Sequence, residues 1–307
     1  MKIVVMGTGG VGGYFGARLS KAGNDVGFIA RGGHLKAIKE KGLKVLSELG
    51  EININSLIAS DNPSDFEIPE IILFCVKTYD MEVSTNLIKP IVGSGTVVIP
   101  LLNGISHFEI MKNILGEDKV IGGIAAISAL IEEPGVIRHN STMQMLKFAE
   151  FDKTITSRIK DFQSTCNKAG INNSIPENIE IDLWQKFILI CTLAGANCLT
   201  RLPLGLCRKN SATLNLMKEI ATEVITIAHA ENVPLPSNQL EIIMDQLYKL
   251  PDGMKASTLP ALENGEKLEI SALHGTILKF GEKNNIDTPM NRAVFAALSP
   301  HENGKYS

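Results

Sequence analysis

The 307-residue chain is 44% hydrophobic and 21% charged, with a formal net charge of −3. Those proportions are ordinary for a soluble globular protein, and the length is that of two domains. The charge gives no electrostatic case for a nucleic-acid partner, and aromatic residues at 5% leave little for a base-stacking platform.

The five cysteines, Cys75, Cys166, Cys191, Cys198 and Cys207, form no C-x-x-C pair, and most sit in apolar segments. They read as reduced core residues, which points to a cytoplasmic protein. The chain opens directly on a strand, so no signal peptide is expected. The most apolar stretch, Phe187–Ala196, is too short to cross a bilayer, so no membrane partner is expected either.

In chain order, the first predicted strand is Lys2–Met6, followed at once by Gly7-Thr8-Gly9-Gly10-Val11-Gly12 and a helix over Val11–Ala22. This is G-x-G-x-x-G between strand and helix, the fingerprint of a dinucleotide site. Gly7 permits the tight turn, Gly9 lets backbone approach a pyrophosphate, and Gly12 lets helix and strand pack closely. The free N–H groups of the first turn and the helix dipole favour the phosphates. The second strand, Val26–Ala30, ends at Arg31, where an NAD site would usually carry an acid about 20 residues past the glycines. A guanidinium there suits a 2′-phosphate, so NADPH is expected.

Further strands are predicted over Ile71–Val76 and Thr96–Pro100, with helices over His34–Lys41, Met81–Lys89 and His107–Leu115. Leu43–Ser47 and Glu51–Ile58 read as a small hairpin insertion. Alternating strands and helices predict an α/β, Rossmann-type, mostly parallel doubly wound sheet. Val120–Ile127, Val136–His139 and Met143–Phe148 lack intervening helices and are expected to extend that sheet in mixed fashion. Thr154–Ala169 reads as its closing helix.

Past about residue 175 strand signals vanish. Helices are predicted over Ile179–Leu199, Ala212–Asn232, Asn238–Leu250 and Lys267–Asn284, and Trp184, Phe187, Ile188, Cys191 and Gly195 form one buried stripe. The expected division is therefore 1–175, an NADP-binding Rossmann-type domain, and 176–307, an all-α domain for substrate and dimerisation. A cleft is expected between them. The polar tail from His301 is expected to fray.

Ligands of open α/β sheets collect at strand exits. The third strand's exit gives Lys77, which can join Arg31 near the adenosine phosphate. The fourth gives Asn103, whose amide can bond the nicotinamide end or a substrate. In the helical half, Lys186 lies in the apolar run Leu183–Ile190. It is either a residue snorkelling from a helix edge or a lysine whose partial burial brings it closer to proton-transfer competence.

The chain resembles the ketopantoate reductase family, NADPH-dependent enzymes of pantothenate and coenzyme A biosynthesis. The resemblance spans nearly the whole length and rests on Gly7–Gly12, Arg31, Val76-Lys77, Asn103-Gly104, Gly135–His139, Leu183–Lys186, Ser257 and Glu269. It implies that Gly7, Thr8, Gly9, Gly10, Val11, Gly12, Arg31, Lys77, Asn103 and Ser128 bind NADPH. It implies Lys186 as the general acid that protonates the alkoxide, Glu269 as the catalytic carboxylate that orients the substrate hydroxyl and the ribose end of the cofactor, and Ser257, with Asn103 and Lys186, as a substrate ligand. By themselves, Glu269 reads as one acid of a solvated helix face and Ser257 as a cap.

The chain departs from the family's polar pattern at Ile190, Ala194, Leu204, Met254 and Ala261, where amides or an acid are usual. Those aliphatic groups suggest a drier pocket, and Arg201 can supply a different carboxylate contact. The reading is reduction of a 2-keto acid, first of all ketopantoate. A less polar 2-keto acid reductase, a β-hydroxyacid or opine-type dehydrogenase and a non-catalytic NADP(H) sensor are the alternatives. No metal is implied, and a homodimer through the helical domain is compatible with the class.

Overall fold

The computed structural model describes residues 1–305. It divides into two compact units. One comprises Met1–Leu102 and His107–Ile179; the other comprises Asn103–Ser106 and the chain from Glu180 onward.

The first unit is built on two sheets. β1 (Lys2–Met6), β2 (Asp25–Ile29), β5 (Ile58–Ser60), β6 (Ile71–Phe74) and β7 (Val97–Pro100) form a five-stranded sheet in the order β5-β2-β1-β6-β7. Every pairing in it is parallel. β6 and β7 are buried at every position, which is why they read as unbroken apolar runs. α1 (Gly10–Lys21), α2 (Gly32–Lys41), α3 (Met81–Ile88) and α4 (His107–Leu115) connect or follow these strands.

The long hairpin of β8 (Gly122–Glu133) and β9 (Val136–Ala149) does not extend that sheet. It forms a second one, in which β9 also pairs parallel with β3 (Leu43–Ser47) and with β10 (Asn172–Ser174), and β3 pairs with β4 (Ile52–Ile54). Among the described residues, a single isolated bridge, Val98 to Val120, continues the first sheet. The hairpin insertion is likewise split: β3 and β4 form it, while Ile58 belongs to β5, beside β2. α5 (Ser157–Lys168) covers the second sheet through Phe162, whose ring lies 4.8 Å from that of Phe148.

The second unit contains α6 (Ile179–Thr200), α7 (Leu204–Lys209), α8 (Ser211–Ala230), α9 (Gln239–Lys249), α10 (Thr258–Asn264), α11 (Thr276–Asn284) and α12 (Pro289–Leu298). α6 is longer than its most apolar stretch suggests, and it is long and apolar enough to cross a membrane. Most of that stretch is buried instead among Trp184, Phe187, Val224 and Leu247, as the core helix of a packed unit. The helix expected over Lys267–Asn284 starts later, at Ser271, and its first turn is not α-helical. A wide π turn at Ser271–Gly275 precedes α11.

The tail is not frayed where it is described: the Leu268 N–H donates to the Glu302 carbonyl at 2.9 Å and the Lys305 N–H to Gly265 at 3.0 Å. Its last two residues lie outside the described ones. All five cysteines are free thiols, four of them buried.

Candidate active site

The glycine loop turns where β1 ends. Gly7 has φ +92°, a left-handed conformation that a side chain would strain. A Cβ on Gly12 would sit 2.2 Å from the Gly7 carbonyl oxygen and 2.7 Å from Val5, so α1 packs there without room for one methyl. Gly9 is the opposite case: a Cβ there would meet nothing within 4 Å. The space over Gly9 is open, and among the described residues no side chain caps α1 and its first turn carries no acid. The first-turn N–H groups are thus available to an anion, which fits a dinucleotide pyrophosphate.

Thr8 fixes the loop rather than exposing a donor. Its hydroxyl and its N–H both donate to the Ile29 carbonyl, at 3.0 and 3.1 Å. Gly10 is required by protein: its Cβ would fall 2.1 Å from the Ala129 carbonyl oxygen on β8. That contact brings Ser128 beside the loop. Ser128 is exposed and lies in a register break of the β8–β9 ladder between Ile127 and Ala129, where a bulge re-aims side chains.

Arg31 occupies the N-cap position of α2 just past β2 without a side-chain capping bond, and its guanidinium forms an ion pair with Asp80. Lys77 is exposed at the exit of β6 and opens the short turn Thr78–Asp80. Asp80 was not legible as a site residue. The only signal for it was an acid three residues past Lys77.

The other expected residues lie in the second unit. Lys186 is half-buried on α6. Desolvation pulls its pKa down from 10.5 to about 8, against the opposing effect of the Glu269 carboxylate, which favours its charge. Glu269, half-buried, comes just before the π turn.

The loop carrying Asn103 seats on that same turn. Gly104 has φ +87° and a Cβ there would approach the Ala272 carbonyl oxygen to 2.8 Å; the Thr276 hydroxyl donates to that carbonyl at 3.0 Å and lies 3.3 Å from the Ser106 hydroxyl. Asn103 therefore belongs with Lys186 and Glu269 in one unit, although the sequence places it at the exit of β7.

Ser257 is exposed at the N-cap position of α10, but its side chain makes no capping bond. Its neighbour Ala256 donates its N–H to Oδ1 of Asn197 at 2.8 Å, and the Asn197 amide in turn donates to the Leu202 carbonyl. Asn197, completely buried, thus ties the Ser257 segment to α6. Its signal was a lone amide in an apolar helix.

The π turn also carries His274, wholly buried, with burial pulling its pKa down to about 4. Asn291 donates its amide to Glu223 at 2.6 Å, so its Oδ1 faces His274 Nδ1 at 2.8 Å and accepts from it.

Of the aliphatic departures, Ala194 and Leu204 are fully buried in the unit's main core, with Ile190 and Met254 packed against it. The Leu204 N–H donates to the Met254 carbonyl at 2.9 Å. Ala261 stands apart, in the smaller cluster with Leu259 and Leu268. Arg201 is exposed at the end of α6, with φ +59°.

Gly135–His139, part of the resemblance, plays a structural part. Gly135 turns the hairpin with φ +85° and donates its N–H to His34, and His139 lies 4.5 Å from the Tyr14 ring.

A parallel sheet with a glycine-rich loop at the exit of its first strand, joined in one chain to a helical unit bearing a lysine of lowered pKa, points to a Rossmann-type oxidoreductase. The comparisons with known proteins narrow that class. Residues 3–153 match the family described as Ketopantoate reductase PanE/ApbA, and residues 178–302 match its C-terminal counterpart.

An uncharacterised oxidoreductase of Bacillus subtilis, YkpB, is 30% identical over 98% of this chain and 99% of its own. The 2-dehydropantoate 2-reductase of Pyrococcus horikoshii is 27% identical over 98% of each. Among solved structures, a PanE/ApbA family ketopantoate reductase from Ralstonia eutropha superposes with a TM-score of 0.88 at 28% identity over 98% of both chains. The 2-dehydropantoate 2-reductase of Porphyromonas gingivalis gives 0.86 at 27%, over 97% of this chain and 99% of that one.

The chain belongs to the ketopantoate reductase family. It is an oxidoreductase acting on a CH–OH group.

Proposed function

We propose that the protein reduces a 2-keto acid with NADPH, ketopantoate being the first candidate. The observation that carries this reading is Lys186, half-buried, with its pKa lowered to about 8 and Glu269 within electrostatic reach, in a family of keto-acid reductases. NADPH, when bound, supplies the hydride that reaches the ketone carbon. The N–H groups around Gly9–Gly12 hold the pyrophosphate, Arg31 and Lys77 hold the 2′-phosphate, and Ser128 contacts the cofactor from the β8 bulge. Asn103 bonds the nicotinamide end or the substrate. The Lys186 ammonium polarises the carbonyl and gives its proton to the developing alkoxide oxygen. Glu269 orients the hydroxyl side of the substrate and keeps Lys186 charged. Ser257 takes the substrate carboxylate.

A second reading, reduction of a less polar 2-keto acid, is favoured by the partly buried Ile190 and Met254, which present hydrocarbon where the family usually presents amides. A pocket built to bond hydroxyls rejects analogues lacking them, whereas an aliphatic one discriminates weakly.

The test is NADPH consumption with ketopantoate beside a panel of less polar 2-keto acids, repeated with Lys186→Ala. Turnover of ketopantoate supports the first reading, and preference for an apolar keto acid supports the second. Loss of turnover in Lys186→Ala of roughly a hundredfold or more, with cofactor affinity kept, supports the acid role. Equal loss in both quantities overturns it.

A further inference from the structure

β2 and β6 lie on either side of β1; Arg31, just past β2, and Asp80, at the end of the Thr78–Asp80 turn beyond β6, meet across it. Their ion pair spans the carboxyl end of β1. Asp80 stands at the N-cap position of α3, where an acid would ordinarily accept from the first turn, yet its side chain makes no capping bond. The carboxylate is directed to Arg31 instead. It is the better anchored partner, with its side chain 28% exposed against 80% for Arg31.

Arg31 is the cation expected to receive a 2′-phosphate, and Asp80 is a fixed anion on that same cation. A 2′-phosphate arriving there shares the guanidinium with a carboxylate and meets like charge. A 2′-hydroxyl meets instead an acceptor of the kind that selects for it in this type of fold. We infer that Asp80 is a cofactor-specificity residue: through its ion pair with Arg31 it narrows the advantage of NADPH over NADH. The inference rests on dinucleotide binding at the glycine loop as proposed above.

The opposite role, in which Asp80 pre-organises Arg31 for the phosphate, predicts the opposite sign. An exposed guanidinium held by one surface ion pair gains little order from it, whereas a full negative charge beside a phosphate dianion acts on every encounter.

The experiment is a fluorescence titration of the full chain with NADPH and with NADH, in Asp80→Asn and Arg31→Ala. Asp80→Asn keeps the shape and removes the charge. The expected result is NADPH affinity raised about fivefold to tenfold at low salt, with NADH affinity unchanged or lowered. An unchanged ratio of the two affinities, or a fall in NADPH affinity, overturns the inference. Arg31→Ala tests the underlying assignment by itself: it is expected to weaken NADPH far more than NADH. If Arg31→Ala is silent, the 2′-phosphate assignment falls. If it weakens NADPH while Asp80→Asn changes nothing, only the role of Asp80 falls. The apo melting temperature of each variant separates both results from a folding defect.

Discussion

Lys186 carries two opposing influences. Burial lowers its pKa to about 8 and Glu269 raises it, burial being the larger. In the proposed role of proton donor it must be charged, so reduction is expected to run at full rate below about pH 8 and fall about tenfold per unit above it. Glu269→Gln removes the influence that sustains the charge. The descending limb of the pH–rate profile is therefore expected to move to lower pH; an unmoved limb would mean that another group titrates. The same shift has a stability sign. The unfolded chain keeps this proton up to about pH 10.5, the folded one only to about 8. Between those values the unfolded state binds more protons, so this lysine makes folding more favourable as pH rises through that window.

At the scale of elements, two glycines a turn apart separate binding from folding. Gly9→Ala adds a methyl into open space, so its melting temperature is expected to stay within about a degree or two while NADPH affinity falls at least tenfold. Gly12→Ala drives a methyl against the Gly7 carbonyl and is expected to cost roughly 2–4 kcal/mol of stability, read by denaturant titration. Gly104→Ala strains a left-handed backbone and presses on Ala272. It is expected to lower kcat more than it raises KM, because it moves the Asn103 loop on the turn that follows Glu269.

How far these elements were legible follows from what sets each of them. β1, the glycine loop and α4 are specified within a dozen residues by apolar runs and turn glycines, and they lie nearly to the residue where those signals put them. The second sheet was not legible, because its parallel register joins Lys44 to Val136 across most of the first unit. No local pattern announces such a partner. The π turn was hidden for a related reason: Ser271–Gly275 has ordinary helical composition, and its widening is visible only with Gly104 and Thr276 packed against it. Glu269 and Ser257 were readable only by family resemblance, since a half-buried acid and an exposed serine look alike to any periodicity.

For the whole molecule, the main hydrophobic cores of the two units differ in kind. The first is dominated by strand residues such as Ile3, Val5, Leu73 and Ile99, the second by helical ones such as Phe187, Val224 and Leu247. A ligand that binds only the folded state stabilises it by mass action, about 2.7 kcal/mol at a hundred times its dissociation constant. NADPH is accordingly expected to raise the unfolding temperature in a concentration-dependent way, read by calorimetry, and to do so more weakly in Gly9→Ala.

The seating of Asn103–Ser106 on the π turn has a consequence for how this protein can exchange parts with its relatives. Four residues just past the first third of the gene pack as though they belonged to its last two fifths. A single recombination crossover near codon 180 would thus pair a loop from one parent with a turn from the other. Modularity here is a property of the folded chain rather than of the linear message, and a chimera is expected to keep its turnover only when codons 103–106 travel with the C-terminal segment.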